Sequence, residues 1–94
     1  MAAQFLMARG AAVLGRNVRV GRGEIDLLVR FGSKRVAVEV KTRVGSEPRE
    51  AFSEEKANRV WEAARRLGGV SRVDLIAVRF NAHGAEVRWL PEVS

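Results

Sequence analysis

Apolar and polar residues alternate with a period of two through residues 24–31 and 34–42, and Gly32-Ser33 separates the two runs. That is the pattern of a β-hairpin with a two-residue turn, Gly occupying the position that needs positive φ. Ala12 to Val20 reads as a preceding strand, turned into the hairpin at Gly21-Arg22-Gly23. Residues 2–9 are helix formers ended by Gly10. Downstream, Ala57, Val60, Trp61, Ala64 and Leu67 follow helical spacing, with Ser53 as N-cap, Glu54 and Glu55 in the first turn and Gly68-Gly69 as the stop. Val73 to Phe80 and Glu86 to Leu90 complete the pattern as two strands around the turn Asn81-Ala-His-Gly84. The order is helix, three strands, helix, two strands, an α/β domain. A connection of about 30 residues containing a helix lets the fourth strand lie parallel to an earlier one.

Charge interrupts this pattern in one place. With Gly32-Ser33 as the turn, opposed residue numbers sum to 65, so Leu28 faces Ala37, Asp26 faces Glu39 and Glu24 faces Lys41. Alternation then puts Glu24, Asp26, Glu39 and Lys41 on one face, with Ile25, Leu27, Val29, Val36, Val38 and Val40 on the other. One face is expected to be core and the other a cluster of charges. Like charges directly opposed in a ladder, with β-carbons about 4.5–5.5 Å apart, destabilise it. Two such carboxylates share a proton, take a cation or are neutralised by a base, and Lys41 is the neighbouring base. Mg²⁺ or Mn²⁺ suits the spacing, since these ions bind through one or two carboxylates plus water and phosphate.

Composition narrows the partners. The 94 residues fit one domain, and 47% hydrophobic content is enough for a core. Lys and Arg number 17 against 11 Asp and Glu, a net charge of +6 with pI near 11.3, which points to a polyanion, nucleic acid being the commonest. Fourteen of the basic residues are Arg, whose planar fork suits phosphate. Without cysteine there is no disulfide framework, zinc ribbon or thiol nucleophile. No apolar run reaches the ~18 residues of a membrane span, and the start lacks a basic region before its apolar stretch, so a cytoplasmic protein is expected.

The spacing of Asp26, twelve intervening residues and Glu39-Val40-Lys41, on a hairpin after a helix and a strand, resembles the PD-(D/E)XK nuclease superfamily. More closely, Asn17-Val18-Arg19, Gly23-Glu-Ile-Asp-Leu-Leu28, Val38-Glu-Val-Lys-Thr-Arg43, Lys56 with Arg59, and Arg72-Val-Asp-Leu75 resemble the YraN family over nearly the whole chain. The resemblance implies a restriction-endonuclease-like three-layer core, a mixed sheet of about five strands flanked by helices. It also implies a metal-dependent phosphodiesterase site: Asp26, Glu39 and the Val40 carbonyl as Mg²⁺ ligands, and Lys41 orienting or activating water. The superfamily includes Holliday-junction resolvases, and by analogy a homodimer acting on branched DNA is implied. Ile25 stands where the superfamily has proline, a change without effect on the metal-holding acid. YraN-like chains carry a Gly-Glu pair near the start of helix one. Measured back from Leu6, that Glu falls before Met1, so residues 1–94 are expected to form one nuclease-like domain lacking the first part of that helix.

Around this core of the site, Glu24 is read as a supporting residue, a partner that holds Lys41 or a further metal ligand. Arg43, Arg49, Lys56 and Arg59 are the candidate phosphate contacts, Lys56 and Arg59 lying at i and i+3 on one helix face beside Arg66. Trp61 and Trp89 fit core positions better than base stacking, and His83 fits a turn. No role follows for Asp74. The leading expectation is a Mg²⁺-dependent DNA endonuclease. The alternatives are a nucleic-acid-binding module that keeps the fold without the chemistry, and a protein-interaction subunit whose charge serves solubility.

Overall fold

Two short helices cover opposite faces of a five-stranded mixed sheet whose strands lie in chain order, β1-β2-β3-β4-β5. The computed structural model describes residues 1–44 and 54–93, excluding the side chains of residues 43, 44 and 54–57. The elements are α1 (Ala2–Met7), β1 (Ala12–Val20), β2 (Gly23–Phe31), β3 (Lys34–Val44), α2 (Glu54–Leu67), β4 (Val70–Asn81) and β5 (Gly84–Leu90). Every pairing is antiparallel except β3 with β4, which run parallel through the α2 crossover. Element order, strand direction and the helix on each face agree with a nuclease-like α/β fold. The expected Ser53 cap and the loop through Gly45 and Pro48 lie outside the described residues.

The Gly32-Ser33 turn has the expected form. Gly32 has φ +61, a conformation open to Gly without a Cβ clash, and the register runs from Phe31↔Lys34 through Leu28↔Ala37 to Leu27↔Val38.

Two expectations about the hairpin are corrected. First, both faces of the sheet are core. On the α1 face Leu6 packs with Leu27, Val29, Val36, Val38, Ile76 and Val78, and on the α2 face Val60, Ala63 and Ala64 pack with Ile25, Leu28, Ala37 and Val73. The charges occupy only the end of one face. Second, Ile25 and Leu27 belong to opposite cores, whereas strict alternation would put them together. The switch falls at Asp26, at the level where β1 carries Asn17 with φ +50, between the pairs Arg16↔Leu27 and Val18↔Ile25. Asn tolerates this left-handed conformation better than other side chains, and one such residue in a strand turns those after it to the other face.

Candidate functional site

Central strand β3 is paired with β4 from Arg35 to Val44, but with β2 only as far as Val38. From Glu39 onward its β2-facing edge is open, at the middle of the sheet. The expected ladder pairs Asp26 with Glu39 and Glu24 with Lys41 are therefore not formed. Instead the Asp26 side chain fills the gap: its Oδ2 accepts the Val40 backbone N–H at 2.9 Å. A carboxylate thus takes the bond that a strand carbonyl would have taken, leaving no buried donor orphaned where the strands part. In an antiparallel strand the N–H and C=O of one residue lie on the same edge, so the Val40 carbonyl turns toward the same gap.

Glu39 projects from β3 beside Asp26, its side chain 15% exposed, with Lys41 Nζ 3.6 Å from its Oε2. Burial, then a hydrogen bond with Asp26, then the Asp26 charge push the Glu39 carboxyl up from 4.5 to about 7, against the opposing pull of Lys41. Near neutral pH Glu39 is therefore poised between its protonated and charged forms. The ion pair of Lys41 is with Glu39, so Glu24 does not hold the lysine as expected; it lies exposed at the rim. Glu24, Asp26, Glu39, Lys41 and Arg59 all line one cavity of about 250 Å³.

The donors that this gap offers are the Asp26 and Glu39 carboxylates and the Val40 carbonyl, an all-oxygen set around two acids that repel one another. Such a set fits a hard divalent cation, which would relieve the repulsion and displace the proton held by Glu39. Among the described residues no group of three His, Cys, Asp or Glu side chains gathers here.

Residues 1–78, from α1 into β4, match the model of "Uncharacterised protein family UPF0102". The chain belongs to this family. It is 42% identical to a UPF0102 protein of Leifsonia xyli subsp. xyli over 99% of its own length and 88% of the relative's. Similar relatives occur in Syntrophotalea carbinolica, at 38% identity over 97% of this chain and 82% of the relative, and in Streptomyces coelicolor, at 41% over 93% and 76%. UPF0102 is the YraN family of the sequence resemblance, and the matched stretch contains every candidate site residue.

Of the candidate phosphate contacts in this UPF0102 chain, Arg59 borders the site. Arg49 and the side chains of Arg43 and Lys56 lie outside the described residues. Two residues without an assigned role from sequence are informative. Asn17 lines a second cavity of about 300 Å³ that reaches Asp26 and Val40 from the α1 side; in the sequence it stands out only through the family-like Asn17-Val18-Arg19 stretch. Asp74, fully buried, accepts hydrogen bonds from Arg72 Nε at 3.0 Å and Nη2 at 3.3 Å, from Trp89 Nε1 at 2.9 Å and from the Glu92 N–H at 2.9 Å. It is a structural anchor for β5 and the segment after it. Trp89, stacked on Phe31 with ring centroids 5.6 Å apart, is likewise committed to packing.

Proposed function

We propose that this UPF0102 protein is a Mg²⁺- or Mn²⁺-dependent endonuclease acting on DNA, including branched or junction DNA. The observation that carries this reading is the convergence of Asp26, Glu39 and the Val40 backbone where β2 and β3 part, with Lys41 3.6 Å from Glu39. Asp26 and Glu39 would hold the ion together with the Val40 carbonyl. When bound, the ion supplies Lewis-acid polarisation of a phosphoryl oxygen and lowers the pKa of water. Lys41, tethered by Glu39, directs its ammonium donors at the attacking water and the developing charge. Glu24 lines the rim of the same cavity as a supporting acid, and Arg59 with Arg43, Arg49 and Lys56 would hold the strand by its phosphates. Symmetric incision of a junction requires two such sites, hence a homodimer, and a DNA substrate implies a cytoplasmic location.

The test is cleavage of linear, flapped and four-way-junction DNA with Mg²⁺ or Mn²⁺. Wild type is expected to cut at least one of these, and Asp26→Ala to lose at least about a hundredfold in rate. Equal inertness of the two proteins would remove the catalytic reading.

A second reading is a nucleic-acid-binding module without chemistry. It is favoured by one observation, that among the described residues no three His, Cys, Asp or Glu side chains are grouped so that they could hold one metal ion. It predicts DNA binding that weakens steeply with salt and is indifferent to chelator.

A further inference from the structure

The turn Gly21-Arg22-Gly23 and helix α2 border a cavity of about 370 Å³, larger than the carboxylate cavity and sharing Arg22, Gly23 and Arg59 with it. Its floor is made of the smallest side chains. A Cβ on Gly23 would stand 2.9 Å from the Ala63 Cβ, and one on Gly21 would stand 2.7 Å from Arg66 Nη1, so the turn rests directly on the helix. Three arginines line it: Arg22 from the turn, and Arg59 and Arg66 seven residues apart on one helix stripe. A single acid, Glu62, also lines it.

Like Arg16, Arg19, Arg65 and Arg88, these three arginines have no partner among the described residues, and they alone of that group line this cavity together. Arg9, Arg30 and Arg35 donate to backbone carbonyls, and Arg72 and Arg79 are paired with Asp74 and Glu86. Among the described residues, Arg22, Arg59 and Arg66 carry no hydrogen bond or ion pair. Three unpaired forks against one carboxylate, around a concave site with a close-packed floor, form a receptor for a phosphate group. We propose that this cavity is a second phosphate subsite, non-catalytic, that grips a nucleic-acid strand one step along from the phosphate presented to Asp26 and Glu39. It rests on the reading that the substrate is nucleic acid, but not on cleavage. Both an internal phosphodiester and a terminal phosphate have the required chemistry.

The experiment is fluorescence-anisotropy titration of short single-stranded DNA in chelator, across a salt series, with 5′-phosphate or 5′-hydroxyl ends. Arg22→Gln and Arg66→Gln should each weaken binding by about five- to tenfold and lower the magnitude of the log K against log salt slope by about 0.7. Glu62→Gln should tighten it, and Arg88→Gln, on distant β5, should leave it unchanged. Circular-dichroism melts confirm folding of each variant. Loss confined to 5′-phosphorylated strands identifies a terminal-phosphate site, and loss with both ends identifies an internal one. Wild-type affinity in Arg22→Gln and Arg66→Gln, an equal loss in Arg88→Gln, or no binding by wild type overturns the subsite. If binding behaves as expected but Asp26→Ala and wild type are equally inert in cleavage, the endonuclease reading fails and the subsite stands.

Discussion

At the scale of single residues, the buried Asp74 and the half-buried Glu39 do opposite things. Asp74 is surrounded by donors, four hydrogen bonds reaching its two oxygens, and is settled. Glu39 is hemmed in by burial and by another carboxylate, with one lysine in compensation. The linkage has a definite sign. Folded Glu39 keeps its proton to about pH 7, whereas the unfolded chain releases it near 4.5. Within that window the folded state binds more protons, so the stability contribution of this group is lost as pH rises through it. Glu39→Gln removes the ionisation and keeps the shape. In urea unfolding it should match wild type near pH 4 and exceed it by ~1–2 kcal/mol above pH 7, after allowance for solvent screening. No gain at high pH would mean that Lys41 already neutralises the site.

At the scale of elements, the β1–β2 turn packs closely on α2, with no room for a Cβ at Gly23. Gly23→Ala should cost ~1–3 kcal/mol through overpacking on Ala63. In a double-mutant cycle Ala63→Gly should recover ~1 kcal/mol of that loss, even though Gly in a helix is itself unfavourable. Additive losses would place the strain elsewhere. The hairpin is also where the sequence is most legible. A two-residue turn with Gly at positive φ fixes register outright, and Leu27↔Val38 through Phe31↔Lys34 follow by counting. Counting fails at Asp26, because periodicity assumes that each strand keeps one twist from end to end. The αL conformation of Asn17 and the departure of β2 from β3 break that assumption, and neither leaves an apolar pattern to read. Acids inside apolar strands are what point to the candidate site, since burial of charge is what a residue string displays plainly. The guanidinium cavity was hidden, because Arg22 and Arg66 meet only through the packing of a turn on a helix.

At the scale of the whole molecule, +6 net charge sits on a sheet sealed by a helix on each face, and among the described residues no helix is long and apolar enough to cross a membrane. The acids of the candidate site are thus set against an excess of positive charge, an arrangement that, under the proposed function, would attract a polyanion while a metal offsets the local repulsion. Binding to the folded state alone raises apparent stability. Mg²⁺ or Mn²⁺ at millimolar concentration should therefore raise the melting temperature of wild type by several degrees, reversibly on addition of chelator, and should leave Asp26→Ala unmoved. An equal shift in both proteins would indicate a generic salt effect. The parting of β2 from β3 gives this measurement a local counterpart. The Val40 amide has a side chain for its acceptor, so its exposure to solvent hydrogen is governed by one carboxylate and not by the zipper of the sheet. Any ligand that pulls Asp26 away will appear there first, as a change in the exchange rate or chemical shift of one amide.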